Sequence, residues 1–189
     1  MNRFLTLTLA TVLTCVSLVA MAAAGQDAAS QRLVIAEKNG AYELSVPVSR
    51  LVMTLPKGQF TSSQPDASSG NPRYFSFQDK KAALIVSGWF EPEQAFNGLE
   101  DFWAGEQRSL TQNGIRIENI VKDKIQKWQV VLYEVRLPGG RSSNMRAEFV
   151  QAGTWIDLHL SVTSDRPEAE NQAALRKVLE TIRVEERMP

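Results

Sequence analysis

Cysteine and histidine are almost missing from this sequence, each occurring once in 189 residues. Cys15 lies in an apolar N-terminal run, and His159 carries the sole imidazole. A Cys/His zinc site takes three or four such ligands, so none can be built here. Carboxylates alone suit Ca²⁺ or Mg²⁺ better, yet no D-x-[DN]-x-[DN]-G loop gathers them. The acidic stretches "EPEQ" and "EERMP" have no loop to converge them either. No metal and no cofactor is therefore expected. A single cysteine also excludes an internal disulfide, so stability has to come from the core.

Charge of one sign is missing too. Lys and Arg total 21 against 21 Asp and Glu, leaving no net field to recruit nucleic acid or an anionic membrane. Basic residues do gather at Arg116, Lys122, Lys124 and Lys127, but Glu118 and Asp123 interrupt them, as on a solvated hairpin face. Phosphate cradles are absent: "LPGGRSS" opens no helix and reads as a hairpin turn between two strands. No G-x-S-x-G elbow presents a serine nucleophile.

Only one long apolar run occurs, "FLTLTLATVLTCVSLVAM". Arg3 precedes it and the small residues of "AMAAAGQ" follow, the three-part pattern of a secretory signal peptide. Cleavage fits after Ala22 or after Ala24. Cys15 raises the alternative of a lipoprotein, but Thr14 is a poor residue before a lipid-modified cysteine and the apolar run continues past it. The expectation is a periplasmic or secreted protein with a signal at residues 1–24. Taking 24 from 189 leaves 165 residues, with 20 Lys and Arg against 21 Asp and Glu because only Arg3 is removed. No second run approaches spanning length, so no stable membrane insertion is expected after cleavage.

What the mature chain does have is alternation. After a polar lead-in over 25–31, "RLVIAEKNGAYELSVPV" reads as two strands around Asn39-Gly40, both tolerant of the positive φ that a two-residue hairpin requires. "RLVMTLP" is a further strand, and residues 61–72 form a surface loop with little to bury. "RYFSFQDKKAALIVSGWF" predicts a second hairpin turning near Asp79-Lys80, whose second strand is apolar from Ala82 to Val86 and therefore covered on both faces. "KWQVVLYEV" repeats that message, with Trp128, Val130 and Leu132 on one side and Val131, Tyr133 and Val135 on the other. "GIRIENIVKD" and "SNMRAEFVQAGTWIDLHLSV" supply the remaining strands, the latter pair turning at Ala152-Gly153.

Two helices are predicted. The first, within 97–114, has Asn97 as its cap with Glu100 reaching back, and a stripe of Leu99, Phe102, Trp103 and Leu110 that Glu106 interrupts. Asn113-Gly114 ends it. The second, within 164–184, takes Ser164 or Asp165 as its cap and Pro167 in its first turn, and aligns Leu175, Val178, Leu179 and Ile182. Short turns imply antiparallel pairing. The fold expected is a single α+β domain over 32–185, a mostly antiparallel sheet flanked by helices as an α/β/α sandwich, with a tail at 186–189. A Bet v 1-like fold is disfavoured because its helices should directly follow the first strand.

The opening "YELSVPVSRLVMTLPKGQF", the helix before "W-x-V-V-x-Y", and the ending "TWIDLHLSVTS…LRKVLETI" resemble the PsbP-like and Mog-like fold group, over residues 42–184. That group includes photosystem II extrinsic proteins, a Ran-binding import factor and many small exported bacterial proteins. The resemblance implies an α/β/α sandwich and a role in binding or assembly. It transfers no functional residue.

Two sets of residues are candidates for function. Asp157, His159 and Ser161 alternate along one strand with Ile156, Leu158, Leu160 and Val162. Alternate side chains on a strand stand about 6.5–7 Å apart. A working triad instead draws its members from separate elements to meet at about 3 Å. The expectation is the polar side of a strand whose Ile156, Leu158, Leu160 and Val162 side faces the core, with His159 solvent-facing or satisfied; a hydrolase using His159 is the less favoured alternative. The second set is Trp89, Phe90, Phe96, Phe102 and Trp103, large rings concentrated at a sheet-to-helix junction. They are either core or a cleft for an apolar ligand or a partner's side chain. The function expected is an exported, non-enzymatic binding or assembly module with a protein partner in the envelope. A carrier of a small apolar ligand near Trp89–Trp103 is the alternative.

Overall fold

A computed structural model describes residues 31–62, 72–137 and 140–187. The signal segment, nearly all of the lead-in, most of the predicted loop at 61–72 and the turn at Pro138-Gly139 lie outside the described residues.

The first hairpin forms where the sequence places it. β1 (Val34–Lys38) and β2 (Ala41–Ser45) flank Asn39 and Gly40, whose φ angles are 50° and 73°. β3 (Leu51–Pro56) pairs with β2, and β11 (Arg183–Glu186) returns from the end of the chain to pair with β3, closing a four-stranded antiparallel sheet. β11 corrects the sequence reading, which runs the last helix to residue 184. The chain turns extended at Ile182, which stays buried, and Val184 packs on the same core.

A second, seven-stranded sheet has the order β4-β5-β6-β10-β9-β8-β7, every pairing antiparallel. Its strands are β4 (Thr61–Ser62), β5 (Tyr74–Asp79), β6 (Leu84–Pro92), β7 (Ile117–Ile125), β8 (Trp128–Leu137), β9 (Gly140–Gln151) and β10 (Thr154–Thr163). Its central pairing, β6 with β10, joins segments far apart in sequence. At that contact Gly88 lies beneath the Phe75 ring, so close to the backbone of β10 that a methyl group would overlap the Asp157 carbonyl.

β8 is buried on both faces as its sequence predicts. β6 departs from expectation at its start. Leu84 and Val86 enter the core, whereas Ile85 on the opposite face is exposed, and Ala83 is in the turn with φ 48°.

The main core lies between the two sheets and includes Leu44, Met53 and Leu55 from one, and Phe75, Phe77, Leu132, Met145 and Leu158 from the other. α2 (Glu168–Thr181) completes this layer with Leu175, Leu179 and the following Ile182. It is held to β7 by the Arg176–Asp123 pair at 2.7 Å and by Asn119 donating to Glu168 at 2.6 Å. The residue before α2 is Pro167, not a side-chain cap. Ser164 Oγ instead donates to Oδ1 of the buried Asn171, which the helix turns toward the core.

α1 (Leu99–Gln112) crosses the outer face of the larger sheet. The helices therefore lie on opposite faces of that sheet, as expected of an α+β fold, with the second sheet sharing one layer. Asn97 does not cap α1. Gly98 precedes it at φ 103°, a conformation glycine reaches easily, and Glu100 and Asp101 instead place charge at the helix N-terminus. The stop is as predicted: Gly114 has φ 72°, and the Gly114 and Ile115 amides donate to Thr111 and Leu110. Among the described residues no helix is long and apolar enough to cross a membrane.

Candidate functional site

Alternation along β9 and β10 sends Met145, Ala147, Phe149, Ile156, Leu158 and Leu160 into the main core. The intervening Asn144, Arg146, Glu148, Asp157, His159 and Ser161 face α1. The tight turn at Ala152-Gly153 sets their register: Glu148 opposite Asp157, Arg146 opposite His159, Asn144 opposite Ser161. α1 lies over this face with Trp103 against Tyr133, ring centroids 5.0 Å apart, and with Leu99 and Leu110 near Val131 and Val135. This polar face is thereby covered. Arg146 and Asp157 are buried, Glu148 is wholly inaccessible, and His159 is half-buried.

At the centre is Arg146. Its Nη2 lies 3.3 Å from Asp157 Oδ2 and 3.4 Å from Glu106 Oε2. Its guanidinium stands 5.1 Å from the centre of the Phe102 ring and 6.0 Å from that of Trp89. Glu106, which breaks the apolar stripe of α1, is thus one ionic contact of the helix with the sheet, Glu100 with Lys122 of β7 being another. Burial alone would lower the Arg146 pKa, but Asp157, Glu106 and Glu148 outweigh it and keep the cation charged. Burial drives the Asp157 carboxyl up to about 6 although Arg146 opposes the shift. Burial, with the Asp157 charge beside it, raises Glu148 well above the usual carboxylate range.

Both carboxyls are pushed upward, which favours one proton on the pair. Trp155 Nε1 donates to Glu148 Oε2 at 2.6 Å, and Arg146 holds Asp157 Oδ2. The two remaining oxygens, Glu148 Oε1 and Asp157 Oδ1, are buried and have no other partner. One proton shared between these two oxygens satisfies both, and leaves a single negative charge of the pair facing Arg146.

His159 belongs to a different set of contacts. Its Nε2 lies 3.1 Å from Asn144 Oδ1, and Ser87 Oγ donates to its backbone carbonyl at 3.5 Å. Burial first, and Arg146 second, lower its pKa to about 3, so the ring is neutral at ordinary pH. Among the described residues no carboxylate and no serine hydroxyl bonds to the ring. Asp157, the acid two residues away, is committed to Arg146 and Glu148. The chain brings together Asp157 and His159 on one face but not as a catalytic relay. Among the described residues, no three His, Cys, Asp or Glu side chains converge as metal ligands.

The five aromatic candidates divide. Phe90 is 1% exposed on the core face, its ring centre 6.0 Å from that of Phe75. Trp103 is 2% exposed against Tyr133. Trp89, opposite Tyr74 in the β5–β6 register, packs against it in a tilted contact with ring centres 5.0 Å apart and borders Arg146. Trp89, Phe96 and Phe102 are each partly exposed, and of these Phe96 and Phe102 meet around Trp155, at centroid distances of 5.2 and 5.8 Å. Phe96, Phe102 and Trp155, with Asn97, Asp101, Gly105 and Glu106, line a half-open cleft of about 340 Å³ between α1 and the end of β10.

Arg146, Glu148, Glu106 and Trp155 escape the sequence reading. For the β9 residues a signal existed: counting back from the turn at Ala152-Gly153 puts Glu148 against Asp157. For Glu106 and Trp155 none did, because α1 and β10 meet only in the folded chain.

No protein-family model matches the chain, and no curated protein matches it. Among solved structures, a protein from Bacteroides thetaiotaomicron VPI-5482 is similar over 72% of this chain, with 10% identity and a TM-score of 0.42. This chain spans about half of that protein's length, 46%.

Proposed function

We propose that this protein is an exported, non-enzymatic binding module that engages its target through the cleft of Phe96, Phe102 and Trp155. One observation carries the reading: among the described residues Asp157, Glu148 and His159 are consumed internally beneath α1, while these three rings are left partly exposed around a concavity. Asp157 and Glu148 share a proton beneath α1 out of reach of substrate, and the neutral imidazole is tied to Asn144. Large rings at a rim with a few polar groups are the usual composition of a recognition site. The signal-peptide pattern at residues 1–24 supports export, and the resemblance to the PsbP-like and Mog-like group points to binding or assembly.

Capture from envelope extract at native expression, across a range of salt, tests the reading. The bait is the mature chain, compared with Gly105→Leu, which fills the cleft. A protein or small molecule retained by the first and lost from the second is the expected result. Identical recoveries, or none from either, would overturn it. A hydrolytic activity abolished by His159→Gln would replace it with an enzyme.

A further inference from the structure

We infer that the group bound in this cleft is an organic ammonium cation, held over Trp155 and Phe96 with Asp101 and Glu106 at its rim. The inference deepens the proposed function and rests on it.

Charge selects the class. In a chain with equal numbers of acids and bases, residues 82–107 carry Glu91, Glu93, Glu100, Asp101 and Glu106 and not one Lys, Arg or His. This segment supplies every lining residue of the cleft except Trp155. Two carboxylates line it and no basic group does. Glu100 is paired with Lys122 and Glu106 with Arg146, whereas Asp101 has no basic partner among the described residues. A neutral apolar ligand would gain nothing from the Asp101 carboxylate, and an anion would be repelled by it.

The rings suit the same ligand. Aromatic faces attract cations through their quadrupole, most strongly that of tryptophan. The Trp155 indole is fixed by its bond to Glu148, so its face needs no ordering on binding. Phe102 already receives one cation, Arg146, on this side of the sheet, and Glu106 stands beside that pair.

Gly105 gives independent support. It sits mid-helix in α1, where glycine is the least favourable residue after proline. Neither of the usual reasons for glycine holds. Its φ is not positive, and a Cβ built there meets nothing within 4 Å. The fold has no need of glycine at this position, while the cleft that it lines does: a side chain would project into the space where the ligand approaches the helix backbone.

The test uses the mature chain with ¹⁵N-labelled tryptophan, whose indole resonances are assigned with Trp155→Phe. The probes are choline and butylamine, the neutral isostere 3,3-dimethylbutan-1-ol, and butyrate. A further arm with phosphatidylcholine vesicles separates a lipid headgroup from a free amine. Choline or butylamine should shift the Trp155 indole saturably, at least tenfold more tightly than the isostere, with butyrate silent. Asp101→Asn should weaken binding severalfold. Gly105→Ala should raise the unfolding midpoint by about 2–4 °C and still weaken binding, so its failure to bind cannot be misfolding. Equal binding of choline and its neutral isostere would overturn the cation assignment and leave the cleft as an apolar site. No shift by either ammonium probe at tens of millimolar would overturn it as well, and the capture experiment then decides whether the cleft binds anything.

Discussion

Glu148 stands directly across the β9–β10 ladder from Asp157, and the two share one proton under the guanidinium of Arg146. Two buried carboxylates side by side cannot both ionise cheaply beside a single cation. The same arrangement explains why the helix α1 carries Glu106 within an otherwise apolar stripe: it supplies the second acceptor of Arg146. The strand face is a covered polar layer, and its stability depends on charge balance.

Substitution at the pair should separate proton from shape. Glu148→Gln retains an acceptor for Trp155 and a donor for Asp157 and needs no proton, so at pH 7 it should leave stability unchanged or raise it. Glu148→Ala strands both partners and should cost about 2–4 kcal/mol. Urea unfolding of the two variants measures the difference. Equal losses would show that the pair shares no proton.

Arg146→Met leaves Asp157 buried without its cation and should cost about 3–5 kcal/mol. The double variant Arg146→Met/Asp157→Leu removes the charge as well and should recover most of that loss. A double-mutant cycle showing simple additivity would refute the pairing.

The pH dependence contains two opposed slopes. Asp157 titrates near 6 when folded against an ordinary 3.8, so it contributes stability at acid pH that is lost as pH rises through 6. Glu148, also raised, acts in the same direction. His159 titrates near 3 when folded against 6.5 unfolded, so its contribution is present above 6.5 and lost as pH falls toward 3, by at most about 1.4 kcal/mol per pH unit. His159→Gln should therefore leave a protein that gains stability between pH 7 and 5. Replacing both raised carboxyls, Glu148→Gln/Asp157→Asn, should leave one that loses it there. Chemical denaturation at each pH checks both signs. As the chain has one histidine, its imidazole NMR signals are unambiguous and should stay at neutral-ring positions down to about pH 4.

Gly88 tests the central pairing. Its missing Cβ is what lets β6 and β10 approach, with the Asp157 carbonyl, Phe75 and Leu158 all crowded against it. Gly88→Ala should cost about 3 kcal/mol, a typical overpacking penalty where backbone is the obstacle. Thermal unfolding measures it, and a shift under 2 °C would contradict the contact.

Much of the architecture was legible in advance because it rests on local rules. Asn39-Gly40 and Ala152-Gly153 mark their hairpins through positive φ, the doubly apolar run at residues 128–135 declares a central strand, and Asn113-Gly114 ends α1. The errors share one cause. Asn97 and Ser164 look like caps by type and spacing, but Gly98 and Pro167 take the junctions and the side chain of Ser164 is drawn to Asn171. Residues 183–186 form a strand because β3 offers an unpaired edge, which helix periodicity cannot reveal.

The sequence by itself determined the α+β class, the strand registers on either side of tight turns, and the lack of Cys and His for a metal centre, since these follow from backbone geometry and composition. Only the tertiary structure decided what covers the polar face of β10. An alternating strand states that one side is polar, not whether water or a helix meets it. Long-range packing alone brought Glu106 to Arg146, and set Phe96 and Phe102 around Trp155.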